Sequence, residues 1–316
     1  MGRADVYLEP RAADPVLSDG LVLELVRRHV PGARSVVGVD ESGGEARVYL
    51  VDDGIVLKTQ RPHRRRPRTS LAKEAYLLER LEPVLGGRIP RRLGYDRTET
   101  DQGPVEYLCM TRIRGRAAGQ AALTPEARHL VLDELGRLLH HLHRVDIDVQ
   151  PLPTDADSGA LRRRLELGFG DIVDAFADRP RARARLPMPL ETLVGRVVAA
   201  VPTTLTQPPV VLHSNPGATH AFVDPDSGRF VGLIDFGDAY ASHPALDLHR
   251  WPDPADRIHL RDAYLDGATP DATWHRMWTL AMIHTDLAVI AADSPHAKSL
   301  HDLAVEDLAI RLADVG

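Results

Sequence analysis

The chain has 316 residues, 43% hydrophobic and 27% charged, with a formal net charge of -6 at pH 7. That length can bury a large core as one bilobal unit or two domains, and the acidic balance argues against a nucleic-acid binder. The single cysteine, Cys109, excludes an intramolecular disulfide and fits a reducing cytoplasm. No apolar run approaches membrane-spanning length, and the opening stretch MGRADVYLEPRAADP lacks the apolar core of a signal peptide. The expectation is a soluble cytoplasmic protein of unknown oligomeric state that has no business with membranes.

Residues 1–15 read as a loosely held polar arm. A helix is expected over 18–29, with Leu21, Leu23, Leu25 and Val26 on its apolar side and Asp19 near its start. Residues 38–45 are turn-rich and lead into a hairpin: strand 47–51, turn Asp52-Asp53-Gly54, strand 55–58. Gly43 and Gly44 could let backbone amides approach a phosphate, although a plain hairpin turn explains a glycine pair equally well. Lys58 closes an otherwise apolar strand, and a helix carrying Glu74 and Glu79 follows. Between them the cationic run 61–68 reads as a solvated loop, with anion steering as its sharper alternative. Strands are expected over 89–95 and 106–113, separated by a polar turn at 98–103, with Cys109 a small core residue.

Beyond Arg114-Gly115 the pattern becomes helical. Thr124 caps a helix with Pro125 at its first position, and Leu135, Leu138, Leu139 and Leu142 form its buried stripe. His140 and His143 share a face of that helix and His141 does not, so the trio reads as surface or structural histidines. A Pro/Asp/Ser-rich connector at 150–160 precedes amphipathic helices marked by Leu161 to Phe176 and by Leu190 to Val197. Arg179, Arg181, Arg183 and Arg185 between them read as a solvated basic connector. Three further helices are expected over 251–265, 272–292 and 301–312.

The informative stretch is 210–248, VVLHSNPGATHAFVDPDSGRFVGLIDFGDAYASHPALDL. Short apolar runs at 210–212, 221–223 and 231–234 are bounded by Pro, Gly, Asp and Ser, the signal for a hairpin carrying functional loops. Its motifs resemble those of the aminoglycoside phosphotransferase and choline kinase superfamily. That family's pattern is His-Gly-Asp, four variable residues, Asn, then Ile-Asp-Phe or Ile-Asp-Trp about a dozen residues later. His213-Ser214-Asn215 stands for the first motif, His220 for the Asn, and Ile234-Asp235-Phe236-Gly237-Asp238 for the second. His220 in the Asn position partly resembles macrolide kinases, which carry a Gly-His pair where other members have Gly-Asn.

The resemblance implies an α+β, bilobal, protein-kinase-like fold. Residues 1–113 would form a small antiparallel β-sheet lobe with the interlobe linker, and 114–316 a larger, mainly helical lobe. It implies ATP (or GTP) with Mg2+ (or Mn2+), and transfer to a hydroxyl of an antibiotic, sugar or related small-molecule acceptor. Lys58, paired with Glu74, would touch the phosphates; Gly43 and Gly44 would lie near them, and the backbone at Met110 to Arg112 near the adenine. Asp235 would hold the metal with His220, and Asp238 would support the loop. Helices after residue 150 would line the acceptor cleft.

Two departures matter. Asn215 stands where the family has its catalytic Asp, and an amide orients a hydroxyl without accepting its proton. Loss of acid–base help costs a factor of about 10²–10⁴, so positioning could still support transfer, with His213 or His220 as substitute bases. Ser242-His243-Pro244 likewise replaces Gly-Asp-Pro, while Asp247 keeps the later acidic residue. Two readings follow: an O-phosphotransferase, or a pseudokinase that binds nucleotide or ligand without transfer.

Overall fold

The computed structural model describes residues 14–64, 69–101, 103–292 and 298–315. Arg65, Arg66, Pro67 and Arg68 of the cationic run, and most of the N-terminal arm, lie outside them. The fold is mixed α+β, with an antiparallel sheet in the N-terminal region and helices dominating the C-terminal region. The chain divides into two compact units. One comprises Met1–Arg116, Phe222–Pro225 and Val231–Ala239; the other comprises Ala117–Ala221, Asp226–Phe230 and Tyr240–Gly316.

In the first unit, α1 (Asp19–Arg27) starts where the Ser18 side chain accepts from the Leu21 amide. Strands β1 (Val36–Asp40), β2 (Ala46–Val51) and β3 (Ile55–Gln60) follow. Helix α2 (Leu71–Leu85) comes next, then β4 (Arg92–Thr100) and β5 (Gly103–Thr111). The five strands form one antiparallel sheet in the order β1-β2-β3-β5-β4. Tyr49, Leu57, Tyr107 and Cys109 of this sheet pack with Val22, Leu25 and Val26 of α1 in a buried core. Burial pushes the Cys109 thiol up to about 12, which makes it inert in the way its surroundings require.

The sequence reading missed β1, treating 38–45 as loop. Gly38 and the acidic Asp40 and Glu41 suggest a turn, but the ladder to β2 supplies the hydrogen bonds that local preference withholds. The polar turn expected over 98–103 is also shorter than expected, because Thr98 to Thr100 continue pairing with Val105 to Gly103. Arg61 is buried rather than solvated: it donates from Nε to Asp14 at 2.9 Å.

In the second unit, β6 (Arg116–Ala117) precedes α3 (Pro125–Leu142), α4 (Ser158–Ala175), α5 (Pro180–Arg183) and α6 (Leu190–Ala199). The central stretch then contributes β7 (Val210–Leu212) and β10 (Tyr240–Ser242) to this unit, while β8 (Ala221–Val223) and β9 (Phe230–Leu233) fall, but for their first residues, in the first unit; α7 (Pro254–Leu265), α8 (Ala272–Ala292) and α9 (Lys298–Asp314) end the chain. β8 and β9 are hydrogen-bonded neighbours, whereas β7 pairs antiparallel with β10, a strand the sequence reading did not mark. Arg179 and Arg181 are exposed, as a solvated connector would be, and Arg183 and Arg185 are half-buried. Arg179 donates to the Ala292 carbonyl and Arg183 to the Phe176 carbonyl, while Arg185 pairs with Asp302. Cations placed on the last carbonyls of helices satisfy groups that the helix itself leaves open.

Helices α3 and α7 lie so close that Gly136 has no room for a side chain. A Cβ there would come within 2.7 Å of the Ala263 Cβ and 2.9 Å of the Tyr264 backbone nitrogen. Because the second obstacle is main chain, neither partner can turn aside. Gly136→Ala is therefore expected to cost about 1–3 kcal/mol by overpacking, outweighing alanine's helix preference. Thermal melting checks this: a raised melting temperature would mean that the α3–α7 spacing has slack.

Candidate active site

Within the first unit, three of the sequence-selected residues meet. Lys58 projects from β3, and its ammonium donates to Glu74 Oε2 at 2.7 Å and to Asp235 Oδ1 at 2.8 Å. Glu74 is fully buried on α2, and its other oxygen accepts from the Phe236 backbone at 3.3 Å. The competing Glu79 is exposed and pairs with Arg92 instead. Burial pulls the Lys58 ammonium down, but the charges of Asp235 and Glu74 outweigh it and hold the group above the ordinary lysine range. Burial pushes the Glu74 carboxyl up while Lys58 pulls it back. One cation against two carboxylates leaves a formal charge of −1, on the side of Asp235, whose side chain is 41% exposed.

The segment 235–238 is stitched to the start of α2. Ser70, which caps that helix, donates its amide to the Gly237 carbonyl at 3.2 Å, and Thr69 Oγ1 donates to Asp238 at 2.5 Å. Asp235 itself takes φ +70, a region that non-glycine residues occupy only when their surroundings enforce it. Here the enforcing contacts are the ion pair to Lys58 and the bonds that fix Phe236 and Gly237.

Gly43 and Gly44 form a tight turn, with Gly44 at φ +72. The amides of Ser42, Gly44 and Glu45 are donated inside that turn, to Asp40 Oδ1, the Glu41 carbonyl and the Gly43 carbonyl. Met110 pairs on β5 with both Val56 and Arg92, and the Arg112 amide donates to the Gly54 carbonyl at 2.9 Å.

In the second unit, a single buried carboxylate organises the loop after β7. Asp247, with no exposed surface, accepts from the amides of His213 and Ser214, each at 2.7 Å, and lies 3.1 Å from His143 Nε2. His143 is in turn 3.0 Å from the Tyr264 hydroxyl. Ser214 takes φ +78, the backbone for which the family pattern's glycine is suited. Its carbonyl accepts from Arg250 Nε at 2.9 Å, and the Trp251 indole donates to the Pro216 carbonyl at 3.2 Å. His143, Arg250 and the grip of Asp247 on the loop escaped the sequence reading; the retained Asp247 was the only signal for them.

These bonds fix the tautomers of two histidines. His213 Nδ1 accepts from the Asn215 amide at 3.2 Å, which places its proton on Nε2 and its lone pair in a structural bond. Buried and so engaged, His213 is unsuited to the role of substitute base. His220 has the opposite arrangement: Nδ1 lies 2.8 Å from the Asn215 carbonyl, so Nδ1 donates and the lone pair sits on Nε2. A histidine oriented by a backbone carbonyl in this way is set up as a metal ligand. Among the described residues, no group of three or more His, Cys, Asp or Glu side chains is gathered as a metal cage. His140 and His143 do share a face, but both turn to Tyr264.

His243, which stands where the family pattern has Asp, acts as a cap. Its Nδ1 accepts from the Ala245 amide at 3.3 Å at the start of the turn Pro244–Asp247. Burial lowers its pKa to about 4, and its buried Nε2 has no partner among the described residues.

The family model described as APH: Phosphotransferase enzyme family matches residues 37–278. The chain belongs to that family. Among solved structures, the GDP complex of a point mutant of an aminoglycoside 2'-phosphotransferase-IIIa is similar at 18% identity and a TM-score of 0.58, covering 95% of this chain and 100% of that one. The streptomycin–ATP ternary complex of APH(2")-IIa is 15% identical with a TM-score of 0.56, covering 87% and 91%. Macrolide 2'-phosphotransferase MphH from Brachybacterium faecium is 21% identical with a TM-score of 0.53, covering 91% and 97%. No curated protein matches the chain.

Two outcomes follow from the loop geometry. Ser214→Gly is expected to keep or raise the melting temperature, since relief of about 1–3 kcal/mol of backbone strain exceeds glycine's entropic cost of about 0.5–1 kcal/mol. A clear drop would show that the serine side chain is needed there. For His243, a folded pKa below the ordinary 6.5 means that the unfolded chain binds more protons between about pH 6.5 and 4. Stability is thus lost as pH falls through that window, by up to about 3 kcal/mol at 1.36 kcal/mol per unit. His243→Asn keeps a capping acceptor without titrating, so its denaturation midpoints should fall less steeply with acid. The slope will not vanish, because burial also lowers His249.

Proposed function

We propose that this chain is an ATP-dependent O-phosphotransferase acting on a hydroxyl of a small molecule. The observation that carries this reading is the meeting of Lys58 and Glu74 with Asp235, the first residue of a DFG-like segment. Phosphoryl transfer is achieved mostly by positioning and charge neutralisation, and the residues divide accordingly. Lys58, kept cationic and aimed by Glu74, contacts the nucleotide phosphates. The turn at Gly43 and Gly44 lies near the nucleotide, and phosphate contact through the Gly44 amide displaces its long 3.4 Å bond to Glu41. The adenine is met by the backbone after Met110. Since the Arg112 amide is already donated to Gly54, the contact there falls to carbonyls or to the next amide.

Asp235 and His220 suit a divalent cation in donor type: an exposed carboxylate with surplus negative charge beside it, and an imidazole whose lone pair is on Nε2. A divalent cation taken up by donors of these types, Mg2+ or Mn2+, would neutralise charge on the phosphates, and a nitrogen ligand would relax the preference for magnesium. Asn215 orients the acceptor hydroxyl through its amide, on a loop whose shape Asp247 holds. Neither Asn215 nor His213 supplies a base, so the acceptor proton leaves to solvent or to the acceptor itself, and turnover is slow. A nucleotide-binding pseudokinase is the second reading, favoured by the same absence of a carboxylate at 215.

Nucleotide-dependent thermal stabilisation with Mg2+ or Mn2+, combined with ADP release over an acceptor panel, separates the two. The expected results are ATP binding that Lys58→Ala abolishes, slow ADP release with an acceptor, and a 10²-fold or greater rise on Asn215→Asp, the scale of general-base catalysis. Binding without release in both wild type and Asn215→Asp assigns the pseudokinase. ATP binding that is absent, with Lys58→Ala silent, rejects the kinase reading.

A further inference from the structure

We infer that Thr69 is a positioning residue of the nucleotide site: its hydroxyl ties the glycine turn to the segment that begins at Asp235, so that metal and nucleotide strengthen each other's binding. The inference rests on the phosphotransferase reading and adds a residue to the same site. Every residue that carries it belongs to the first unit.

Thr69 stands just ahead of the Ser70 cap of α2 and is 6% exposed. Its Oγ1 lies 2.9 Å from Glu45 Oε2 and 2.5 Å from Asp238 Oδ1. Glu45 directly follows Gly44, and its main chain is anchored as well. Its amide donates to the Gly43 carbonyl at 2.8 Å, and its carbonyl accepts from the Arg61 amide and from Gln60 Nε2, each at 2.9 Å. At the other end of the turn, Arg47 Nε donates to Glu41. Between these anchors a Cβ on Gly43 or Gly44 would meet nothing within 4 Å among the described residues. The turn is thus held at its ends and open at its crown, as a loop that lets phosphates approach must be.

On its other side Thr69 meets the DFG-like segment twice. The hydroxyl reaches Asp238, and the methyl lies 3.3 Å from where a Gly237 Cβ would stand. Lys58 fixes Asp235 at one end of this segment, and Thr69 fixes Asp238 at the other. A hydroxyl carries one proton, so Glu45 and Asp238 draw on a single donor. Displacing either carboxylate changes what the other receives.

That link matters because a metal held at Asp235 also has to meet the phosphates that the turn meets. One spacing between turn and segment serves both, and Thr69 sets it without touching either ligand. By linkage, the factor by which metal improves nucleotide affinity equals the factor by which nucleotide improves metal affinity. The two parts of the threonine separate by substitution: valine keeps the methyl against Gly237, and serine keeps the hydroxyl.

The test is isothermal titration of ATP, with and without Mn2+, into wild type, Thr69→Val, Thr69→Ser and Glu45→Ala, with melting temperatures alongside. Mn2+ is expected to tighten ATP binding at least about tenfold in the wild type, within the usual range of such couplings. Thr69→Val and Glu45→Ala should keep the metal-free ATP affinity and lose most of the gain, while Thr69→Ser retains it. The double variant should lose no more than Thr69→Val alone, since the tie is already cut. If Thr69→Val melts too early to be read, Glu45→Ala, which removes a half-buried side chain, decides. Three results overturn the inference: a full gain in Thr69→Val, loss of the gain in Thr69→Ser but not in Thr69→Val, or a wild type that binds ATP equally with and without the metal. A wild type that takes no ATP rejects the phosphotransferase reading and this inference with it, whereas ATP binding with an intact gain in Thr69→Val rejects the inference alone.

Discussion

A buried ammonium cannot stay charged without partners, and in this chain that requirement fixes the first unit's chemistry. Lys58 is held at 2.7 and 2.8 Å by Glu74 and Asp235, which brings β3, α2 and the segment after β9 to one point. Breaking such a pair by removing one partner costs about 3–5 kcal/mol, because the remaining charge is left uncompensated. The arrangement therefore tolerates little displacement. It also explains why Asp235 can persist at φ +70: the ion pair and the bonds to Phe236 and Gly237 over-determine its backbone.

The second unit solves a comparable problem by another route. Its loop is positioned through the main chain, with Asp247 taking the two amides that open it and Arg250 and Trp251 taking the carbonyls that follow. Two backbone amides and His143 satisfy the hydrogen-bonding needs of this buried carboxylate, so it needs no arginine partner. The strain at Ser214 is the local cost of the turn so made.

Much of this was legible beforehand, and the reasons differ by residue. Lys58 stood out because a lysine closing an apolar strand needs a partner, and Asp235 because its neighbours spell out a motif. Glu74 was preferred over Glu79 on order and spacing, and the pairing of Glu74 with Lys58 and of Glu79 with Arg92 separates them in three dimensions. Strand β1 was hidden because its glycine and acidic residues favour a turn until a neighbouring strand pairs with them. At 179–185 Arg179 and Arg181 are exposed as their pattern suggests, but that Arg179 and Arg183 meet helix-end carbonyls is something no sequence pattern marks. The tautomers of His213 and His220 were beyond reach as well, since they depend on which backbone atom each ring nitrogen meets.

The grip of Asp247 on amides has a consequence for how such a loop can change over generations. Amides are alike whatever side chains they carry, so the clamp does not read the side chain at 213 or 215, although the backbone at 214 favours glycine. Replacing a carboxylate with an amide at 215 alters the chemistry while leaving the loop's path intact. The clamp thus separates inheritance of shape from inheritance of reactivity, and a loop built this way can exchange one reaction, or one class of acceptor, for another without first having to refold.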